Sequence, residues 1–221
     1  MEIACTTGFS LREIARLTGC SGLGIDISKA SVDSANKSKL ESLPNANITF
    51  EHIDANIFTP KHKYTHIIVG AAIRFFPDPQ SIMKHLLTLL VDNGYILSTE
   101  FYAINDIPYS VIQKAKNVFN IIPTAVPYKE VMSIYKGLDI MYEDRNELVL
   151  ETDDELNHYC DSTTRRFCDN NNLGEDYYKV IFGRLKEIKQ LSNELRKYQM
   201  YNVLVSRYCK NTYPNRYVEL F

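Results

Sequence analysis

Over the first hundred residues, short apolar runs alternate with stretches of helical period. Leu23 to Ile27, Ile48 to Ile53, Tyr64 to Val69 and Tyr95 to Phe101 read as strands. Each is short, rich in β-branched or aromatic residues and bounded by turn formers. Between them, apolar positions at helical spacing predict helices from Ser10 to about Leu17, Lys29 to Leu43 and Gln80 to Leu90. Ser10 and Glu13 have capping-box spacing, which predicts a helix start at Ser10, and Gly19 ends it. Ser28 is placed to cap the second helix, Pro44 closes it, and Asn93-Gly94 reads as a turn. Strands and helices in alternation, with short connections, imply parallel strands and right-handed crossovers. The expected architecture is an α/β fold with a doubly wound, mostly parallel open sheet. Its ligand should lie beyond the carboxyl ends of the strands.

The second half has a different texture. Pro108 to Val118 and Tyr128 to Lys136 predict helices, and Leu138 to Tyr142 a strand. Thr152 and Glu155 form a second capping box, opening a helix to about Cys168. The polar loop Asp169 to Asn172 precedes a long amphipathic helix from Leu173 or Gly174 to Lys197, and Met200 to Tyr208 is the last β-rich run. This pattern divides the chain into an α/β core over 1–150, a helical insertion over 151–198 and a last strand with tail over 199–221. The insertion falls just before the last strand, where it is expected to cap the ligand crevice.

Composition narrows the class. The 221 residues include 25 Lys+Arg against 27 Asp+Glu, so the net charge of −2 provides no strong field for nucleic acid or anionic lipid. No nucleic-acid or membrane partner is expected, and no apolar run has the length of a membrane-spanning helix. The five cysteines show no C-x-x-C pair and no zinc-like spacing with the five histidines, so no metal site is expected. An odd cysteine count and the lack of a basic-then-apolar N-terminal segment favour a cytoplasmic protein. Tyr177, Tyr178, Tyr198, Tyr201, Tyr208, Tyr213 and Tyr217 are interleaved with Arg196, Lys197, Arg207, Lys210 and Arg216. Such tyrosines mostly sit at the edge of a core, ring inside and hydroxyl out.

The chemistry-bearing residues lie at the predicted strand ends. Glu2-Ile3-Ala4-Cys5-Thr6-Thr7-Gly8 is a turn of small residues opening onto a helix, and small residues permit a close backbone approach by a ligand. Asp26 and Asp54 are carboxylates at successive strand ends, suited to hydroxyls and an exocyclic amine. The lack of a G-x-G-x-x-G triplet argues against a pyrophosphate, and with it against a nicotinamide or flavin dinucleotide.

Taken in order, these segments resemble the class I S-adenosylmethionine-dependent methyltransferases. Residues 2–8 resemble that family's acidic-x-Gly-Cys-Gly-Thr-Gly turn, and Gly24 to Ser28 the segment whose acidic residue holds the ribose. His52 to Ala55 resembles the Asp–small pair near the adenine, and His66 to Ala72 the fourth strand and its exit. Val91 to Leu97 is similar to the turn into the fifth strand. The resemblance covers roughly residues 2–101. It implies a Rossmann-like methyltransferase fold, S-adenosyl-L-methionine as cofactor, and cofactor contacts from Glu2, Ala4, Cys5, Gly8, Asp26, Ile27, Asp54, Ala55 and Ala71. It also implies in-line methyl transfer to a small-molecule acceptor, with Glu100 and Tyr102 as catalytic base and orienter. Arg74, Phe75, Phe76, Phe101, Arg145, Tyr159 and Arg165 are further acceptor-side candidates. A homodimer is compatible with this reading.

Two departures stand out. Ala4 and Thr6 occupy positions where the family has glycines, and a β-branched residue resists φ > 0. Only Met1 precedes Glu2, whereas a strand typically needs about five residues. The expectation is a truncated first central strand, completed by upstream residues of a longer chain, by a subunit partner or by a rearranged segment. These departures support the alternative of a non-catalytic binding or scaffold subunit.

Overall fold

The computed structural model describes residues 1–215; Arg216 and Tyr217 of the C-terminal tyrosine–arginine set lie outside them. Seven strands form one sheet: β1 (Glu2–Ile3), β2 (Gly22–Asp26), β3 (Ile48–His52), β4 (Tyr64–Gly70), β5 (Leu90–Ala103), β6 (Asp139–Glu147) and β7 (Gln199–Tyr208). Their order is β3-β2-β1-β4-β5-β7-β6. β1 pairs in parallel with β2 and with β4, β2 with β3, and β4 with β5. This is the doubly wound, mostly parallel sheet that strand–helix alternation predicts. The order reverses at β1, so a ligand crevice is expected at the carboxyl ends of β1 and its neighbours.

β1 has only two residues, in register with Gly24 and Ile25 on one side and Ile68 and Val69 on the other. Main-chain bonds extend the ladder at both ends. Met1 donates its amino group to His66 O and accepts from Ile68 N, and Cys5 N donates to Ile25 O.

Each helix has a local cause. α1 (Phe9–Thr18) does not use the Ser10 capping box. Its N-cap is Gly8 in the left-handed region, and Leu11 N donates to the buried Glu2 carboxylate at 3.2 Å. Glu13 instead pairs with Arg16 one turn on. A carboxylate at the end of β1 thus satisfies an orphan helix amide that the side-chain-less Gly8 cap leaves open. Ser28 caps α2 (Lys29–Ser42) through Ser31 N, as its position predicts. α3 (Pro79–Leu89) carries Asp78 as N-cap and Pro79 in its first turn. It buries Ile82, Met83, Leu86 and Leu87 at helical spacing against Ile67, Val69 and Ile96 of the sheet. Each such side chain is worth about 2 kcal/mol on burial.

The expected Asn93-Gly94 turn is absorbed into β5. Tyr64 pairs with Leu90 but His66 with Tyr95, so the extra residues form an irregularity in which Asn93 adopts φ 62°. The helix expected over 128–136 is split into α5 (Tyr128–Met132) and a 3-10 turn, Ser133–Tyr135.

The described residues divide into two compact units: residues 1–100, 129–145 and 202–215, and residues 101–128 with 146–201. The first holds two apolar clusters, one around Ile67, Leu86 and Ile96, the other around Leu11, Ala35 and Phe50. The second contains α4 (Tyr109–Phe119), α6 (Asp153–Asn171) and α7 (Glu175–Leu195). α6 opens on a complete capping box, with Thr152 bonded to Glu155 N and Glu155 reaching back to Thr152 N. It runs through the expected polar loop and ends at Asn172 in the left-handed region. Val111, Ala115 and Val118 of α4 cluster with Leu191 and Leu195 of α7. Glu151 holds Lys189 and Arg196, each at 3.0 Å. Among the described residues, no helix is long and apolar enough to cross a membrane.

Candidate functional site

The loop leaving β1 is wound in the left-handed region at Ala4 (φ 48°), Thr6 (φ 48°) and Gly8 (φ 68°). Non-glycine residues there store about 1–2 kcal/mol of strain each, and such strain clusters at functional sites. Gly8 has no alternative: a Cβ there would lie 2.4 Å from the Phe50 ring. The loop is tied to β2 by Asp26. One carboxylate oxygen accepts from Thr6 N and the other from Ser28 N, both at 2.8 Å. Asp26 therefore joins two turns and holds its carboxylate at the mouth of the crevice.

A hollow of about 410 Å³ opens at this end of the sheet. It falls in the size range of small-molecule sites, roughly 300–1,000 Å³. Ala4 from the first loop, Asp26 and Ile27 after β2, Asp54 and Ala55 after β3, and Phe75 and Phe76 after β4 line it. Asp54 holds its turn by accepting from Asn56 N and Asn56 Nδ2 with Oδ1. The His52 ring nitrogen lies 2.9 Å from the carbonyl oxygen of Ile27. Both aspartates thus face one cavity with apolar walls. Thr6 is exposed and does not line it. Ala71 (φ 53°) begins the segment after β4 whose next residue, Ala72, contributes to the wall.

The remaining expected contacts shape the loop rather than the hollow. Glu2 is buried against the start of α1, and burial lifts its carboxyl to about 7. Cys5 is buried in the cluster with Leu11 and Phe50. Burial, with the Glu2 and Asp26 charges, pushes its thiol up to about 12, far from a reactive thiolate. A second hollow, of about 700 Å³, lies by the start of β2 and β4, lined by Met1, Leu11, Gly22, Tyr64 and His66 among others. It holds neither aspartate and sits at the wrong end of the strands for this fold's ligands.

At the end of β5, Glu100 is 1% exposed. Its carboxyl accepts from the hydroxyl of Tyr135, the last residue of the 3-10 turn. Desolvation raises it to about 7, opposed by the Tyr135 hydrogen bond and the Arg74 charge. Tyr102 is not its partner. The Tyr102 hydroxyl donates to Met200 Sδ at 3.8 Å, and its ring stands edge-on to Tyr128. Arg74 contacts Glu130 at 3.4 Å. Arg145 pairs with Glu143, Arg165 lies on the exposed face of α6 with Asp161, and Tyr159 lies under Lys189. Tyr135 is the residue that sequence reading missed. Its only signal was an aromatic at the end of an apolar helix-like run.

A doubly wound sheet with carboxylates at successive strand ends around an apolar hollow is the arrangement of an α/β domain with the Rossmann-like methyltransferase fold. Comparison with known proteins agrees: residues 1–96 match the family model described as a methyltransferase domain. The matched residues, under half of the chain, are thus similar to a methyltransferase domain. No curated protein matches the sequence. Among solved structures, the MccD protein is similar over 94% of this chain and 88% of its own, at 24% identity and TM-score 0.73. A SAM-dependent methyltransferase from Geobacter sulfurreducens, in complex with S-adenosyl-L-homocysteine, is similar over 93% and 82% respectively, at 22% identity and TM-score 0.65. The [4+2]-cyclase SpnF is similar over 94% and 74%, at 14% identity and TM-score 0.65. At these identities the likeness is one of fold, and a cyclase among the neighbours shows that the fold does not fix the reaction.

Proposed function

We propose that the protein binds S-adenosyl-L-methionine in the hollow at the ends of β1 to β4 and transfers its methyl group to a small-molecule acceptor. The observation that carries this reading is the convergence of Asp26 and Asp54 on one apolar-walled cavity beneath the strained loop. The donor set fits. Asp26 has lone pairs left for ribose hydroxyls after serving two amides, and Asp54 Oδ2 remains for the exocyclic amine. Ala55 and Phe75 supply flat apolar contact for a base. Similarity to a methyltransferase crystallised with S-adenosyl-L-homocysteine supports the same ligand here.

The cofactor supplies an activated methyl group on a sulfonium. The work left to the protein is orientation and the exclusion of water. Ala4 and Ala71 keep side chains at the loop turns small enough for close backbone approach. In this reading Glu2, Cys5 and Gly8 hold the loop, while Asp26, Ile27, Asp54 and Ala55 touch the nucleoside. Glu100 is the acceptor-side base, and Tyr135 takes the orienting role assigned to Tyr102.

Calorimetric titration with S-adenosylhomocysteine tests the proposal. The expected result is saturable heat in the folded wild type, weakened tenfold or more in Asp54→Ala, a difference of about 1.4 kcal/mol. No heat from a folded sample overturns it. The strain at Thr6 favours a second reading, a non-catalytic binding or scaffold subunit, and the absence of cofactor binding is the result that reading predicts.

A further inference from the structure

We infer that the Glu100–Tyr135 pair is the proton-accepting end of the acceptor site and that the acceptor it suits carries an aliphatic amine. This rests on the methyl-transfer reading above. Thr99 pairs with Gly70, so Glu100 sits level with Ala71, where the segment that lines the hollow begins. Ser98, two residues earlier on the same face of β5, is 4% exposed, and its hydroxyl lies beside the Tyr135 phenol without a hydrogen-bond partner of its own.

The charges around the pair are few. Glu100 faces the Tyr135 phenol from the 3-10 turn and the Arg74 guanidinium from the segment after β4, while the Ser98 hydroxyl of its own strand lies against Tyr135. Arg74 is engaged by Glu130 at 3.4 Å, and among the described residues no cation lies within ion-pair distance of Glu100. A buried carboxyl held by a single hydroxyl is poorly compensated when ionised. An ammonium group provides the missing positive charge. A carboxylate or phosphate acceptor meets repulsion instead, and an alcohol brings no charge at all.

Burial places the carboxyl's titration at about 7, so both its forms are populated at neutral pH. The step is a proton transfer. The ammonium gives one proton to the Glu100 carboxylate, which becomes a carboxylic acid, and the nitrogen keeps the electron pair that makes it a nucleophile. Tyr135 acts through Glu100 as a positioning residue: its hydroxyl aims the carboxyl and favours the ionised form.

The test is carbon NMR of protein labelled at the glutamate carboxyl carbons, titrated across about pH 5 to 9 with S-adenosylhomocysteine present. Glu2 also titrates near 7, so Glu100→Gln assigns the resonance by removing it. Should that variant fail to fold, the displaced resonance in Tyr135→Phe assigns it instead. Tyr135→Phe is expected to move the Glu100 midpoint upward by about one unit, a shift that lost packing alone does not produce. Millimolar n-butylamine should move the wild-type midpoint downward by about one unit or more, and n-butanol should leave it in place. A midpoint indifferent to butylamine, or to the loss of the Tyr135 hydroxyl, overturns the inference. Calorimetry on the same samples reads the cofactor separately. If S-adenosylhomocysteine does not bind, the methyl-transfer reading fails, and the butylamine titration without it still decides the amine claim.

Discussion

Two strand ends of the same sheet carry carboxyl groups in opposite settings. Asp26, at the end of β2, is 8% exposed, yet two backbone amides meet its oxygens head-on at 2.8 Å. Glu100, at the end of β5, is 1% exposed and is held by one phenol. Amide donors on rigid turns fix a carboxylate and leave it lone pairs for a ligand. Desolvation with a single hydroxyl partner leaves a carboxyl that holds its proton up to about pH 7. In the proposed function one end binds and the other exchanges a proton, although both are acidic side chains at the ends of parallel strands.

The largest expected effect breaks the loop that carries the first end. Gly8→Ala places a Cβ 2.4 Å from the Phe50 ring at φ 68°. It should cost about 3–4 kcal/mol or prevent folding, read as the urea midpoint.

Next comes the pH dependence of the second end. The Glu100 carboxyl is raised from 4.5 to about 7 on folding, so the native state binds the extra proton. Its stabilising share is fully present below about pH 4.5 and is lost as pH rises through about 7. Glu100→Gln should therefore flatten the fall in stability over that window and gain up to about 3 kcal/mol on wild type near pH 8. Glu2, raised in the same direction, keeps its own share of the slope in that variant. Denaturant unfolding at several pH values reads both.

A smaller effect separates the two ends by ligand. Asp26→Asn should weaken S-adenosylhomocysteine binding by about 2 kcal/mol, roughly thirtyfold, because hydrogen bonds to a charged group are lost. The smallest concerns strain. Ala4→Gly and Thr6→Gly should each stabilise the fold by up to about 1 kcal/mol, since glycine adopts φ 48° without penalty, offset in part by its greater freedom when unfolded. Thermal melts of the single and double variants check this.

The first end was legible in the sequence because its determinants are local. Asp26 and Asp54 close short apolar runs just before turns, and strand–helix alternation alone puts such residues at the carboxyl edge of a parallel sheet. Capping was legible where side chain and amide are three residues apart, as at Thr152 and Ser28. At Ser10 it failed, because the helix starts one residue earlier, with Gly8 as N-cap, and Glu2, distant in sequence but adjacent in the sheet, takes the place of a cap side chain at Leu11 N. The second end was only half legible. Glu100 was recognisable as a strand-end acid, but its partner was sought two residues away at Tyr102, when it lies 35 residues on at Tyr135. No local pattern announces that contact, because it depends on an apolar run that breaks from α-helix into a 3-10 turn and delivers the phenol to β5. The length of β5 was missed for a similar reason: Asn93-Gly94 has turn chemistry, but pairing with β4 holds it inside the strand.

The most direct test of the central claim is a crystal structure of the protein grown with S-adenosylhomocysteine. The account predicts the ribose hydroxyls on the Asp26 carboxylate and the adenine between Ala55 and Phe75, with its amine toward Asp54. Density for the ligand elsewhere, or an empty hollow in crystals grown at saturating ligand, would contradict it.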